Sequence, residues 1–239
     1  KKINIEGTAN VMNVALSHNF KKCIYISSVS TLGRKDGDLE INEESFFSAN
    51  KSVSNYAYSK YYAEQEVWRA SSEGINTIIL NPSIILGPGD WNKGSSKIFQ
   101  TVYNGLKFYS PGSSGYVDVM DVAKITIQFL SEKIKNERYI LNGTNISFQD
   151  VFNQIADEFK IPRAKYKVTP FLKELAWRVD ALKTFFTGMP SLLTKETANS
   201  AMKSVAYSSK KIKETLKYDF IPIDKTIKEY CRFFEKELI

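Results

Sequence analysis

The sequence predicts an α/β fold, in which a parallel sheet is followed by a smaller, mostly helical part. Two short apolar runs, residues 22–27 and 76–80, are typical of buried strands, and the apolar residues of 56–71 between them recur at helical spacing. A strand, a crossover helix and a second strand form the unit from which parallel sheets are built. After Ser147 the apolar residues recur mostly at helical spacing, which predicts the helical part.

The remaining elements are predicted from the same periodicities. Helices are predicted over residues 8–18 and about 119–132, and a further strand over 138–141. Glycine and proline mark a loop at 87–90, and a helix stop is predicted at Gly188-Met189-Pro190.

The change from mixed strand and helix signals to mostly helical signals predicts two domains. We assign residues 1–94 and 118–143 to the sheet domain, and residues 95–117 and 144–239 to the smaller domain. Each domain is therefore expected to be assembled from separate stretches of the chain.

The composition is that of an ordinary globular protein, with 239 residues, 43% hydrophobic and 25% charged. No stretch approaches the roughly 18 apolar residues that cross a membrane, so no membrane association is predicted. Cys23 and Cys231 are too few for a disulfide framework, and we expect reduced thiols in a cytoplasmic protein. His18 is the only histidine, and no cluster of metal-ligating residues is apparent, so no metal site is predicted.

The net charge of +7 is concentrated in the second half of the chain. A basic half is compatible with nucleic-acid binding. However, lysines such as Lys210, Lys213 and Lys217 are scattered at helical spacing among apolar residues and do not form a block. Solvated helix faces are the favoured interpretation, and no nucleic-acid partner is predicted.

A tyrosine and a lysine four residues apart are the first candidate for chemistry. Tyr56 and Lys60 share one face of the predicted helix. An ammonium favours the phenolate, and so lowers the pKa of a tyrosine below its usual value of about 10. The phenol then becomes usable as an acid or base near neutral pH. The spacing alone does not decide, because it also occurs at Tyr103/Lys107 and Tyr207/Lys211.

The position of Tyr56 in the predicted topology distinguishes it from the other two tyrosines. Its helix follows a buried strand that ends in Ser27-Ser28, and Asn81-Pro82-Ser83 ends the next strand. In an open parallel sheet, ligands bind at the carboxyl ends of the strands. A hydroxyl, a tyrosine and a lysine would then meet in one crevice. In the alternative interpretation, the two serines form an ordinary turn and Tyr56 is a core aromatic residue.

The chain also resembles a known family, the extended short-chain dehydrogenase/reductases, and within it the branch of dihydroflavonol reductases and 3β-hydroxysteroid dehydrogenases. The similar motifs occur in the family's order along almost the whole chain: Asn4–Val11, Ile26–Gly33, Tyr56-x-x-x-Lys60, Asn81–Asp90, Tyr116–Ala123 and Ser208–Leu216. The resemblance implies a Rossmann-type, doubly wound parallel sheet with a smaller, mostly helical substrate domain at the C-terminal end.

The resemblance implies a role for each matched residue. Tyr56 would be the proton donor or acceptor, Lys60 would lower its pKa and hold the cofactor ribose, and Ser28 would bind the substrate oxygen. The cofactor would be NAD or NADP. Further residues expected beside the cofactor are Asn4, Ser27, Pro82 and Ser83. Residues expected beside the substrate are Ser30 and Asn81.

Family members are often homodimers through the helix that carries the tyrosine and lysine, so a homodimer is expected. The residues that would supply this face, or alternatively the core, are Tyr61, Tyr62, Val67 and Trp68. An aromatic-rich set either lines an apolar substrate pocket or packs the second domain on the sheet: Trp91, Phe99, Tyr103, Phe108 and Tyr109.

Two departures from the family pattern bear on the activity. None of the 12 glycines forms the G-x-x-G-x-x-G turn that cradles a dinucleotide pyrophosphate, so we expect the chain to be the remainder of a protein of roughly 320 residues. Nucleotide-sugar epimerases of the family carry an Arg before the V-x-V-x-D block, whereas Gly112–Tyr116 has none. Since a diphosphate needs cationic partners, this loss argues against a nucleotide sugar.

The expected function is therefore an NAD(P)-dependent oxidoreductase that acts on a small molecule. It would transfer a hydride between nicotinamide and a secondary alcohol or ketone, with a tyrosine as general acid and base. The first alternative is a nucleotide-sugar epimerase or dehydratase of the same family. The second alternative is a non-catalytic NAD(P)-binding protein on the same fold.

Overall fold

The structure, a computed structural model, describes residues 2–33, 40–47, 53–175, 177–178 and 195–237. The helices are α1 (Lys2–Ser17), α2 (Asn55–Ser72), α3 (Lys97–Tyr103), α4 (Val119–Ser131), α5 (Phe148–Glu158), α6 (Lys195–Ser200), α7 (Lys210–Leu216) and α8 (Ile223–Glu237). The strands are β1 (Lys22–Ile26), β2 (Asn76–Pro82), β3 (Ile84–Leu86), β4 (Phe108–Tyr109), β5 (Ser113–Asp118), β6 (Glu137–Leu141), β7 (Thr144–Ser147) and β8 (Tyr166–Lys167). The helix stop predicted at 188–190 lies outside the described residues.

The first sheet contains three parallel strands in the order β1-β2-β6. Leu80 in the central strand is level with Ile26 of β1 and with Tyr139 of β6. The strands β3, β5 and β7 form a second sheet in that order, and β4 pairs with β8 in parallel. The predicted α/β class and the parallel pairing of the first two predicted strands are confirmed.

The first sheet is covered on both faces, which explains why β2 is apolar along most of its length. Alternate residues of a strand point to opposite faces. Ile79 packs with residues of α1 and α2, including Met12 and Val67. Ile78 and Leu80 pack on the other side with residues of α4 and α7. This is the doubly wound arrangement, in which both faces of a parallel sheet are buried under helices.

The chain divides into two compact units, and their limits differ from the predicted domains. The first unit comprises Lys1–Ile85, Gly115–Thr144 and Ala206–Ile221, and the second comprises Leu86–Ser114, Asn145–Val205 and Pro222–Ile239. The sequence had placed all of 144–239 in the second domain. The segment Ala206–Ile221 belongs to the first unit because α7 buries its apolar residues, Ile212 and Leu216, in the core above the first sheet.

The second unit has its own aromatic core. Phe99 of α3 and Phe234 of α8 are almost fully buried, and the Trp91 ring packs edge-on against both, with centroid distances of 5.8 and 4.9 Å. Tyr103 contacts Phe159 and Phe234. Three of the five aromatic residues considered for a substrate pocket are therefore packed against the interior of this unit itself, whereas the alternative interpretation had placed them between the second domain and the sheet.

The residues considered for a dimer face on α2 have different environments. Val67 is fully buried in the core, and the Trp68 ring packs on that core with the Arg138 guanidinium 5.8 Å from its centroid. Tyr61 stacks on Phe47 at 4.2 Å, whereas Tyr62 is 51% exposed. The homodimer stays a prediction, and Val67 is not available to form its surface.

Gly115 lies close to the side chains of Asn142 and Tyr207 in the first unit, so a substitution at Gly115 tests the packing there. A Cβ atom at Gly115 would overlap Asn142 Oδ1 and would lie 2.9 Å from Tyr207 Cδ2. We expect Gly115→Ala to lower the free energy of unfolding by about 1–3 kcal/mol, because overpacking forces neighbouring atoms to move. Urea denaturation measures this change.

Gly7→Ala in α1 is the matched control, since a Cβ there has no neighbour within 4 Å. It should raise the free energy of unfolding by roughly 0.5–1 kcal/mol, because alanine loses less backbone entropy than glycine in a helix. A Gly115→Ala protein as stable as the wild type would contradict the close approach.

Candidate active site

The end of β1 is built as a capped turn. Ser28 is the N-cap of a short 3-10 helix, Val29–Thr31, and its Oγ accepts a hydrogen bond of 3.2 Å from the Ser30 amide. The Ser28 carbonyl accepts from the amide of Thr31 at 3.1 Å and from its Oγ1 at 2.9 Å. The turn holds the Ser28 hydroxyl at the carboxyl end of the sheet, where parallel sheets bind ligands.

Helix α2 carries Tyr56 and Lys60 on one face. The helix begins after Ser54, whose side chain accepts from the Ala57 amide and so satisfies one of the free donors of the first turn. Tyr56 is 55% exposed. Lys60 is half-buried, and its Nζ donates to the Ile26 carbonyl at 2.7 Å, at the end of β1.

Burial lowers the pKa of Lys60 below its ordinary value, and the negative charge of Glu64 opposes this effect. Lys60 Nζ also lies 3.5 Å from Tyr25 Oη, and 4.8 Å from the centroid of that ring. Within the described ranges Lys60 has no hydrogen bond to Tyr56, so the expected action of Lys60 on Tyr56 stays a prediction. The lysine is instead anchored to the strand end.

A buried carboxylate, Glu64, lies one helical turn beyond Lys60 and was missed by sequence reasoning. Its side chain is fully buried. Its Oε2 accepts from Ser27 Oγ at 2.6 Å, from Thr31 Oγ1 at 3.0 Å and from Asn81 Nδ2 at 3.0 Å. Its Oε1 forms an ion pair with Arg138 of β6. The available signal was an acidic residue on the apolar face of α2, between Ala63 and Val67, because buried charges are normally paired.

The structure therefore places two predicted ligand-binding residues inside the Glu64 network. Ser27 is 4% exposed and donates its hydroxyl to Glu64. Asn81 is fully buried, and its amide nitrogen also lies 3.0 Å from the Ser28 carbonyl and 2.9 Å from Thr31 Oγ1. Their contacts with cofactor and substrate stay predictions, and the observed role of both side chains is to brace the strand ends.

Two buried polar atoms near these strand ends have no hydrogen-bond partner among the described residues, namely Ser30 Oγ and Asn81 Oδ1. Buried polar atoms are usually satisfied by protein, water or ligand. Ser30 follows Ser28 by two residues, so its hydroxyl remains a candidate for the predicted contact with substrate.

Two of the other predicted cofactor residues, Asn4 and Ser83, make internal hydrogen bonds. Asn4 Nδ2 donates to Ser59 Oγ at 2.9 Å, which ties α1 to α2 next to Lys60. Pro82 is buried at the end of β2. The Ser83 amide and hydroxyl both donate to the Leu141 carbonyl, at 2.9 and 3.2 Å. Cofactor contacts of these residues stay predictions.

Within the ranges that the structure describes, no three His, Cys, Asp or Glu side chains are grouped so that they could hold a metal ion. None of the described helices is both long and apolar enough to cross a membrane.

The Ser27–Glu64 hydrogen bond can be tested directly. We expect Ser27→Ala to lower the free energy of unfolding by about 1.5–3 kcal/mol, because a hydrogen bond to a charged group is lost. The control is Ser72→Ala, at the exposed end of the same helix, which should change stability by less than about 0.5 kcal/mol. Urea denaturation of both variants is the measurement, and equal midpoints for the two variants would contradict the assigned bond.

The chain is similar to known proteins over most of its length. It is 28% identical over 219 residues to a putative dihydroflavonol 4-reductase of Synechocystis sp., covering 88% of this chain and 64% of that protein. It is 26% identical to cinnamoyl-CoA reductase 1 of Petunia hybrida, covering 83% of this chain and 63% of that protein. The chain therefore spans less than two thirds of the length of either curated relative.

The fold is likewise similar to solved structures. The crystal structure of gox2253 matches with a TM-score of 0.81 and 29% identity, covering 99% of this chain and 72% of that one. This confirms the predicted Rossmann-type sheet.

A family model extends the comparison to the sequence motifs. The model of the NAD dependent epimerase/dehydratase family matches residues 1–141, which is more than half of the chain and contains the tyrosine, the lysine and both strand-end motifs. The predicted resemblance to the extended short-chain dehydrogenase/reductases is confirmed, and the chain belongs to the NAD dependent epimerase/dehydratase family of enzymes.

Proposed function

We propose that this chain provides the substrate-facing part of an NAD(P)-dependent oxidoreductase. The reaction transfers a hydride between nicotinamide and a secondary alcohol or ketone, with Tyr56 as general acid and base. The observation that supports this most directly is the placement of Tyr56 and Lys60. The exposed tyrosine lies one helical turn before a lysine that is anchored at the end of β1, and Ser28 lies two residues beyond that anchor.

Ser28 is suited to hold the substrate oxygen. A hydroxyl has one donor and two acceptor positions. Ser28 Oγ accepts from the Ser30 amide, so its own proton is available for an oxygen of the substrate. Ser30 Oγ, buried and without a partner among the described residues, is the second hydroxyl proposed to face the substrate.

Tyr56 and Lys60 fit the ribose end of a nicotinamide cofactor. An ammonium has three donors; the short bond to Ile26 occupies one of them and the longer contact with Tyr25 Oη a second. The remaining proton of Lys60 and the Tyr56 hydroxyl suit ribose hydroxyls, and main-chain groups near Pro82 and Ser83 would lie beside the nicotinamide. NAD or NADP supplies or accepts the hydride, and the chain's residues orient the substrate and move its proton.

In the direction of reduction, Ser28 would hold the carbonyl oxygen and Tyr56 would donate a proton to it as the hydride arrives at carbon. In the direction of oxidation, the Tyr56 oxygen would accept the hydroxyl proton. The positive charge of Lys60 favours the phenolate that follows proton donation. General acid–base catalysis of this kind typically contributes about 10²–10⁴-fold to the rate.

The proposed substrate is a small carbonyl compound or secondary alcohol without a diphosphate. The two curated relatives are named as reductases, which supports this direction. The segment Gly112–Tyr116 also lacks the Arg that is expected in a protein that binds a nucleotide sugar. In this segment Gly112 packs against the backbone of Ala201 and Lys203, so a side chain there would meet other backbone atoms.

Tyr56→Phe tests the proposed acid and base. On the complete gene product, this variant should lose about 10²–10⁴-fold in kcat for ketone reduction, because the proton donor is gone. Turnover is followed as consumption of NADH or NADPH with a panel of aliphatic and aryl ketones. Binding of the dinucleotide, followed by calorimetry, should change by no more than a few fold.

Tyr62→Phe is the matched control, since Tyr62 is similarly exposed on the same helix at 51%. It should retain wild-type turnover. Wild-type kcat in Tyr56→Phe would remove Tyr56 from the mechanism. Dinucleotide binding without turnover of any ketone, alcohol or nucleotide sugar by the wild type would favour the non-catalytic alternative.

A further inference from the structure

Glu64 is a fully buried carboxylate to which the proposed chemistry assigns no step. Transfer of a charge out of water is costly unless the charge is paired and hydrogen-bonded. An alanine or leucine at this position would pack the helix against the sheet without the cost of removing a charge from water. The presence of a carboxylate here therefore calls for a function besides packing.

Every partner that Glu64 has among the described residues donates to it, so these surroundings suit the ionised carboxylate. Oε2 receives the hydroxyls of Ser27 and Thr31 and the amide of Asn81, and Oε1 faces the Arg138 guanidinium. These donors come from the end of β1, the 3-10 turn, β2 and β6. One carboxylate thus ties α2 to all three strands of the first sheet.

This network controls the position of Ser28. The Ser28 carbonyl is held by Asn81 Nδ2 at 3.0 Å and by Thr31 Oγ1 at 2.9 Å. Asn81 Nδ2 also donates to Glu64, and the single proton of Thr31 Oγ1 is shared between the Ser28 carbonyl and Glu64. A change in the carboxylate therefore reaches Ser28 through two hydrogen-bonded side chains, without any direct contact.

Glu64 also acts on Lys60 through its charge. The titratable groups around the lysine are Tyr25 of β1 and, on its own helix, Tyr56 and Glu64; Arg138 of β6 faces Glu64. Burial favours the neutral amine of Lys60, and the Glu64 carboxylate opposes it. Because Arg138 pairs with Glu64, its positive charge reduces the effect of the carboxylate on Lys60 without cancelling it.

We propose that Glu64 is a positioning residue for the hydride-transfer reaction: its hydrogen bonds to Thr31 and Asn81 fix Ser28 at the strand end, and its carboxylate lies one helical turn from Lys60 on the same helix. The proposal rests on the proposed roles of Lys60 and Ser28. Glu64 itself touches neither substrate nor cofactor. Its effect on the reaction passes through Thr31 and Asn81 to Ser28, and through space to Lys60.

The first test is the pKa of Lys60, measured by NMR on protein with ¹³C at the lysine ε-carbons and assigned from Lys60→Arg. In Glu64→Gln the pKa of Lys60 should fall below the wild-type value, because the opposing charge is lost while burial remains. A purely structural role predicts the opposite sign, since a loosened site would hydrate Lys60 and raise its pKa towards about 10.4. An unchanged or raised pKa would overturn the proposal.

Glu66→Gln is the matched control. It makes the same chemical change on the same helix, at a partly exposed residue that pairs with Arg69 at 2.8 Å and lies outside the network. It should leave the pKa of Lys60 at the wild-type value.

Glu64→Gln places an amide nitrogen against Arg138 and could prevent folding. The double variant Glu64→Gln/Arg138→Gln removes both charges and lets two amides pair. Loss of the Arg138 cation partly offsets loss of the Glu64 charge at Lys60, so the pKa of Lys60 should fall less in this variant than in Glu64→Gln. A pKa of Lys60 above the wild-type value in a folded double variant would contradict the electrostatic part of the proposal.

The second test is turnover by the complete gene product. We expect Glu64→Gln to lower kcat by about 10- to 100-fold, as small displacements of catalytic groups do, and Glu66→Gln to leave it unchanged. Glu64→Asp retains the charge but shortens the side chain, so it should keep the pKa of Lys60 near the wild-type value while kcat falls.

If Tyr56→Phe is inactive but Glu64→Gln keeps full kcat, only the present proposal fails. If Tyr56→Phe is fully active, the proposed function fails instead.

Discussion

The arrangement of this site depends on one buried charge. Glu64 brings the ends of β1, β2 and β6 and the turn after β1 to a single carboxylate, and it belongs to the helix that also carries Tyr56 and Lys60. Because residues four apart lie on one helix face, orienting Glu64 towards the sheet also orients Lys60 towards the same edge. The hydrogen bonds of Glu64 thereby fix the rotation of α2 about its own axis relative to the strand ends. Apolar contacts are not directional and would fix this rotation less closely.

Glu64 can organise the strand ends because polar side chains of the buried sheet have few other hydrogen-bond partners. Most of β2 is buried, with α1 and α2 on one face and α4 and α7 on the other. Polar groups in such a strand are tolerated where they find partners, and Asn81 finds them at the carboxyl end. Hydroxyl, amide and carboxylate groups are therefore collected at one edge of the sheet. The same edge presents the Ser28 hydroxyl and the anchored Lys60 ammonium.

Much of the sheet unit could be predicted from local pattern. The strand, helix and strand between Lys22 and Pro82 have strong periodicities, and their parallel pairing follows from the crossover rule. Tyr56, Lys60 and Ser28 could be selected because spacing and strand ends are both visible in a sequence. The assignment of Ala206–Ile221 to the first unit could not be predicted. The sequence of α7 is that of a short amphipathic helix, and it does not show which core buries the apolar face.

What the sequence determined by itself is the alternation of elements, the shared face of Tyr56 and Lys60, and the serines that end a strand, because these are consequences of chain periodicity. What only the tertiary structure decided is the partner of each polar side chain. The family resemblance implied that Ser27 and Asn81 bind cofactor and substrate, whereas in the structure their side chains donate to Glu64, which is 37 and 17 positions away in the sequence. Hydrogen bonding between such distant residues depends on how the helix packs on the sheet, and no local pattern records that distance or direction.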